Sequence, residues 1–235
     1  MSKITIVFLS VCLFFSCGMT EKTEIISMQN PSTSGEVRTF LALGDSYTIG
    51  ESVEEKDRWS VHLTELLKGE FSFPKHDIIA RTGWTTEELI SAIANSNNTK
   101  TYDMVSLLIG VNNQYRGQSI EKYRTEFREL LQISAKFAKN DYKKVFVLSI
   151  PDYGITPFVN AGNKAKVGKE IDEFNAVAQE ECNKLGVFFV DITPITRANT
   201  DLSYIAIDQL HFSGKMHELW AQKSLSVAQT ILRNK

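Results

Sequence analysis

Thr39-Phe40-Leu41-Ala42-Leu43-Gly44-Asp45-Ser46 is the stretch on which the fold turns. After Thr39 it is apolar without a break, then meets a glycine, an acid and a serine. A short uninterrupted apolar run bounded by a turn signal reads as a strand buried on both faces, as in a parallel sheet covered by helices. A serine just past such a strand stands at the carboxyl end of the sheet. That is the edge at which open α/β sheets bind ligands.

Working outward, four further runs have the same character, at residues 77–80, 104–109, 145–150 and 187–192. Amphipathic patterns lie between and after them. One uses Ile120, Tyr123, Phe127, Leu130, Leu131 and Phe137. Another uses Ile171, Phe174, Ala178, Cys182 and Leu185, and the last Met216, Leu219, Trp220, Val227 and Ile231. Spacings of three and four put these side chains on one face of a helix. Strands alternating with helices build βαβ units, so the expected fold is α/β, a three-layer α/β/α sandwich with a central, mainly five-stranded parallel sheet. It would occupy residues 38–235 as one domain with no internal repeat.

Composition is compatible with that. The chain has 235 residues, 43% of them hydrophobic, and a net charge of −2, which suits one globular domain with a substantial core. No excess of basic residues invites nucleic acid, and no acidic tract points to disorder.

The first residues read differently. Lys3 precedes an apolar stretch at 4–15, followed by Ser16, Cys17 and Gly18. The stretch is short for a membrane span but fits the apolar region of a signal peptide. A cysteine after a small residue at its end resembles a bacterial lipoprotein signal, with residues 1–16 removed and Cys17 lipidated. Phe14 stands where that signal usually has Leu. Residues 17–37 then read as a polar tether, averaging roughly 20–25 Å end to end. The expected location is an exported, membrane-anchored lipoprotein, periplasmic or at the cell surface. With Cys12 removed and Cys17 modified, only Cys182 remains, so no internal disulfide forms. Cys182 sits on the apolar side of its helix and reads as a buried small hydrophobe.

Two short motifs carry the chemistry. Gly44-Asp45-Ser46 follows the first strand, and Asp208-Gln209-Leu210-His211 precedes the last helix. A serine hydroxyl is a poor nucleophile until a histidine takes its proton, and a carboxylate must hold that histidine in the right tautomer. Ser46, His211 and Asp208 supply that set. Gly83 follows the second strand and Asn112 the third, so all can meet at one rim. Thr85 and Glu88 have the spacing of a capping box, which would start a helix and brace the loop before it.

At this point the chain resembles the SGNH hydrolases, the GDSL lipase/esterase family. The blocks are Gly44-Asp45-Ser46, then Gly83 within Arg81-Thr82-Gly83-Trp84, then Gly110-Val111-Asn112, and Asp208 with His211. A Gly-Asp-Ser tripeptide alone arises by chance in about one chain in twenty of this length. The weight therefore rests on four blocks arriving in order. The resemblance implies the flavodoxin-like SGNH fold and a serine hydrolase that cleaves carboxylic esters through an acyl-enzyme, without cofactor or metal. It implies catalytic Ser46, Asp208 and His211, and an oxyanion hole built from Ser46, Gly83 and Asn112. The third block departs from the family pattern, with Asn113 where Asp is usual, which opens the question of what supports that loop.

Other residues carry two readings. Asp45 satisfies backbone donors around the serine turn, or competes with Asp208 as the functional acid. Tyr47 and Trp84 line a substrate pocket, or simply pack. Arg116 anchors a polar part of the substrate, or is a solvated loop residue. The stretch Ile150-Pro151-Asp152-Tyr153-Gly154 ends the fourth strand at the same rim. His62, His76 and His217 lack metal-ligand spacing, and there is neither a Gly-x-Ser-x-Gly elbow nor a phosphate loop. Short acyl esters of small molecules, glycans or lipids are the expected substrates, since no apolar insertion suggests a lid. An acyltransferase on the same fold and a non-catalytic glycan- or lipid-binding lipoprotein are the rival readings.

Overall fold

The computed structural model describes residues 35–74 and 76–234. The expected signal segment, Cys17 and the expected tether up to residue 34 lie outside the described residues. The chain orders its strands as β1 (Glu36–Val37), β2 (Phe40–Gly44), β3 (Phe71–Ser72), β4 (Asp77–Ala80), β5 (Met104–Leu108), β6 (Val145–Leu148) and β7 (Phe188–Val190). Its helices are α1 (Ser46–Ile49), α2 (Trp59–Leu66), α3 (Thr86–Asn95), α4 (Val111–Tyr115), α5 (Ile120–Phe137), α6 (Lys164–Leu185), α7 (Thr193–Ala198) and α8 (Gly214–Arg233).

Five strands form one parallel sheet in the order β4-β2-β5-β6-β7, and β1 pairs with β3 beside it. Every strand predicted from an apolar run is present, each within two residues of its expected ends. Two differences are local. Glu36 and Val37, read as tether, pair with Phe71 and Ser72, a partnership that their own polarity does not announce. Helix α2 had no predicted counterpart, because its buried apolar side chains are only Trp59 and Leu63.

The buried strands explain their composition. β2 and β5 are inaccessible along their whole length, with α3, α5 and α6 on one side and α2 and α8 on the other. The predicted apolar stripes are the faces that close this core: Tyr123, Phe127, Leu130 and Leu131 from α5, Ile171, Phe174 and Cys182 from α6, and Met216, Trp220 and Ile231 from α8.

Reversal of strand order on either side of β2 creates a switch point between β2 and β5. Register brings the strand ends level there, with Gly44 opposite Ala80 on one side and Leu108 on the other. The loops after β2, β4 and β5 therefore leave the sheet side by side, in the crevice where doubly wound sheets take their ligands.

One buried contact ties the two helices of the opposite layer together. The Trp59 N–H opens α2 and has no local cap, so it donates to Nδ1 of His217 on α8 at 3.0 Å. Burial pushes the His217 imidazole down to about 3, so it stays neutral and can accept. A histidine depressed in the folded state stabilises fully above its unfolded pKa of about 6.5, and that contribution is lost as pH falls from there towards 3. Replacing His217 by Phe orphans the Trp59 N–H and is expected to cost about 1–3 kcal/mol. Urea unfolding across pH 7 to 4 should show a shallower pH slope for His217→Phe than for the parent. Equal slopes would remove His217 from the acid response.

Candidate active site

Ser46 is set by its neighbours. A Cβ on Gly44 would run into the Leu108 carbonyl and the Thr48 side chain, so close packing of β2 on β5 demands glycine there. Asp45 caps α1, accepting from the Tyr47 N–H at 3.0 Å. Burial pushes its carboxyl up to about 7, against the pull of backbone N–H groups from Tyr47 and Gly110. Asp45 is thus engaged with the turn at Ser46, and another acid meets the histidine. Ser46 is the first residue of α1 and is 4% exposed.

That other acid is Asp208. Its Oδ2 lies 2.6 Å from His211 Nδ1, and its Oδ1 accepts the backbone N–H groups of Leu210 and His211 at 3.0 and 2.9 Å. Burial pushes the Asp208 carboxyl upward, but hydrogen bonds from Ser52, His211 and the loop N–H groups outweigh it and hold it well below the usual carboxylate range. The ionised acid places the proton of His211 on Nδ1. Nε2 has no partner among the described residues and is open to act as a base. The loop itself is a tight hairpin, closed by Ala206 N–H to the His211 carbonyl at 2.8 Å, with Gln209 at φ +63°.

The second and third blocks brace each other. Gly83 has φ +87°, a conformation that penalises any residue with a Cβ. Arg116 donates to the Gly83 carbonyl at 2.5 Å and to Glu88 at 3.2 Å. The capping box is present: Thr85 N–H donates to Glu88, and Glu88 N–H to the Thr85 hydroxyl. Asn112 donates one amide hydrogen to the Trp84 carbonyl at 3.0 Å, which fixes the plane of its side chain and leaves a second hydrogen to offer.

Asn113 supplies the loop support left open by the sequence. It is fully buried, accepts the Thr86 N–H at 3.1 Å, and donates to the Thr86 hydroxyl at 2.6 Å and to Gln118 at 2.9 Å. The Thr86 hydroxyl is then free to donate to Glu126 at 2.5 Å. A carboxylate at 113 could accept from Thr86 but could not donate onward. The neutral amide is thus matched to a network that ends on an acid.

Ser46, Asn112 and His211 line one cavity of about 150 Å³, with Tyr47, Val111, Leu210 and the rings of Tyr115, Tyr153 and Phe158. Ser46 and His211 share this lining without a direct hydrogen bond between their side chains. Tyr47 both lines the cavity and packs edge-on against His211, ring centres 5.8 Å apart. Two expected contacts are not made. Arg116 does not line the cavity, because its guanidinium is committed to Gly83 and Glu88. Trp84 does not either, since it packs on the hydrophobic core and presents only its carbonyl to Asn112. Gly83 is likewise outside the lining; its loop is held by Arg116 on the Gly83 carbonyl and by Asn112 on that of Trp84.

The family model for GDSL-like lipases and acylhydrolases matches residues 42–219. The chain belongs to this family. Its activity class is accordingly that of an SGNH-type carboxylic ester hydrolase. Among solved structures, it is similar to the esterase EstA from a Pseudoalteromonas species, at 15% identity and TM-score 0.63, over 84% of this chain and all of that one. An acetyl-xylooligosaccharide esterase from Geobacillus stearothermophilus (a single-site mutant) gives 17% identity and TM-score 0.65, over 83% and 96%. A lipase/acylhydrolase from Enterococcus faecalis gives 20% and 0.61, over 84% and 97%. Identities this low speak for the fold alone. No curated protein gives a significant match.

Sequence reading missed Ser52. Its hydroxyl donates to Asp208 Oδ2 at 2.6 Å, sharing that oxygen with His211, and its backbone sits at φ +63°, uncommon for a serine. Next to it, Glu51 accepts from the Thr82 hydroxyl. Residues 51 and 52 therefore join the loop carrying Asp208 to the loop carrying Gly83. No local pattern marks Ser52, since its partner lies 156 residues away. Ser52→Ala is expected to lower kcat on p-nitrophenyl acetate by about tenfold, one neutral-to-charged hydrogen bond being worth roughly 1.5 kcal/mol, with KM little changed. Ser52→Thr should restore most of it. An alanine variant with parental kcat would show that Asp208 needs no second donor.

Proposed function

We propose that this protein hydrolyses short-chain acyl esters through an acyl-enzyme on Ser46. The observation that carries this reading is the 2.6 Å Asp208–His211 pair opening onto the same small cavity as Ser46 and Asn112. Ser46 Oγ attacks the ester carbonyl while His211 Nε2 takes its proton. Asp208 keeps the ring in that tautomer and stabilises the imidazolium. The tetrahedral oxyanion is met by the N–H groups of Ser46 and Gly83 and by the free amide hydrogen of Asn112. His211 returns the proton to the departing alkoxide, leaving the acyl group on Ser46. Water then attacks, with His211 again as base, and releases the acid and free enzyme.

The acyl range follows from space. A cavity of about 150 Å³ is well below the roughly 300–1,000 Å³ of sites that enclose drug-sized ligands. It suits acetyl to butyryl groups. The N-terminal segment supports placing this chemistry at a membrane surface, through a lipid on Cys17 and the polar stretch that follows it.

Purified protein should hydrolyse p-nitrophenyl acetate and butyrate, with rates falling for longer chains. Ser46→Ala should abolish turnover and labelling by a fluorophosphonate. His211→Ala should lose on the order of 10⁴ or more in kcat, and Asp208→Ala less, because the acid orients the base and does not itself carry the proton. Turnover retained by folded Ser46→Ala protein would overturn the nucleophile, and equal, parental rates in the other two variants would overturn the triad.

A further inference from the structure

The cavity at Ser46 does not end at its aromatic wall. Tyr115, Tyr153 and Phe158 are shared with a larger open cleft of about 380 Å³ that runs between α4, the 158–163 segment and the start of α6. Two adjoining spaces beside one nucleophile match the two halves of an ester. The smaller takes the acyl group, and the larger takes what leaves.

The wall between them is built rather than incidental. The Tyr153 hydroxyl donates to Gln114 Oε1 at 2.9 Å, and Gln114 Nε2 donates to Glu170 at 2.7 Å. Gln114 is buried and lies two residues after Asn112 on α4. The cleft is therefore anchored to the helix that carries an oxyanion donor. Its mouth is aromatic but wet: Tyr115 is 60% and Phe158 47% exposed, with their ring centres 6.4 Å apart. Rings held open to solvent in this way offer flat apolar faces without a closed apolar channel.

Its polar equipment is of one kind. Asn160 and Asn163 line the cleft, and their side-chain amides have no hydrogen-bond partner among the described residues, each carrying both donors and an acceptor. Lys166 and Glu170 pair at 3.8 Å, so the formal charges lining the cleft sum to zero. Among the described residues that line the cleft, Lys166 is the one cation and is paired with an acid, and the lining mixes polar and apolar residues instead of forming a long apolar trough. A leaving group that suits the cleft must be neutral, must donate and accept hydrogen bonds at several points, and must show flat C–H faces to aromatic rings. A sugar ring meets all three conditions.

We infer that the cleft beyond Tyr115 and Phe158 binds the alcohol half of the substrate, and that this half is a saccharide, so that the enzyme removes short acyl groups from sugar hydroxyls. The inference rests on the esterase reading above. In the reaction, the sugar oxygen is the leaving group and receives its proton from His211, and the acyl group leaves later as the free acid.

The test compares three acetates at one carbonyl chemistry: 6-O-acetyl methyl glucoside, glycerol monoacetate and ethyl acetate. The parent enzyme is expected to favour the sugar ester over ethyl acetate by about tenfold or more in kcat/KM. The double substitution Asn160→Ala with Asn163→Ala, both solvent-facing, should remove about tenfold on the sugar ester, as two neutral hydrogen bonds allow, mainly through KM. It should leave ethyl acetate unchanged. Equal kcat/KM for sugar and ethyl acetates, or equal losses on both, would overturn the inference while leaving the esterase intact. A preference for glycerol monoacetate alone would overturn it in favour of a glycerolipid. Failure on all three esters, with no fluorophosphonate labelling, would overturn the esterase reading and this inference with it.

Discussion

Parallel pairing of β2 between β4 and β5 is the constraint on which the site depends. Gly44 aligns with Ala80 and Leu108, so three loops far apart in sequence leave the sheet at one level. The pairing requires β2 to be apolar on both faces, and it requires Gly44 to lack a side chain where β5 passes. Given those two conditions, the loops that carry Ser46, Gly83 and Asn112 leave the sheet side by side. The histidine loop then needs only to fold back from α8 to complete the set.

Alignment of strand ends brings loops together but does not hold them still. That work falls to side chains that bridge one loop to the next. Asn113 ties the loop after β5 to the start of α3, Arg116 ties it to Gly83, and Ser52 ties α1's exit to Asp208. The Asn113 bridge is buried, so loosening that loop would leave polar atoms unpaired; the Arg116 and Ser52 bridges lie nearer the surface. Glu181 makes a bridge between α5 and α6. It is buried beneath Arg128, Arg124 and Lys184, and chiefly the hydrogen bond from Arg128, against the upward push of burial, holds its carboxyl down at about 2.

Much of this was legible before any coordinates. Apolar runs located the five strands of the sheet because a strand buried on both faces tolerates few polar residues. The capping box at Thr85 and Glu88 was readable because its partners are three residues apart. Asp208 and His211 were readable for the same reason. Arg116 and Trp84 were not. Both stand beside catalytic blocks, yet proximity in sequence says nothing about whether a guanidinium faces substrate or a neighbouring carbonyl.

The chain's own order of residues thus determined the elements, their burial and the chemical groups on offer, since helix and strand periodicities are local and record which face meets the core. Tertiary structure alone decided the partnerships. Ser52 with Asp208, Asn113 with Thr86, and Gln114 with Glu170 are pairs separated by 156, 27 and 56 residues. Whether such groups meet depends on how whole strands and helices dock, and a single hydrogen-bonding side chain leaves no period in the sequence to announce it.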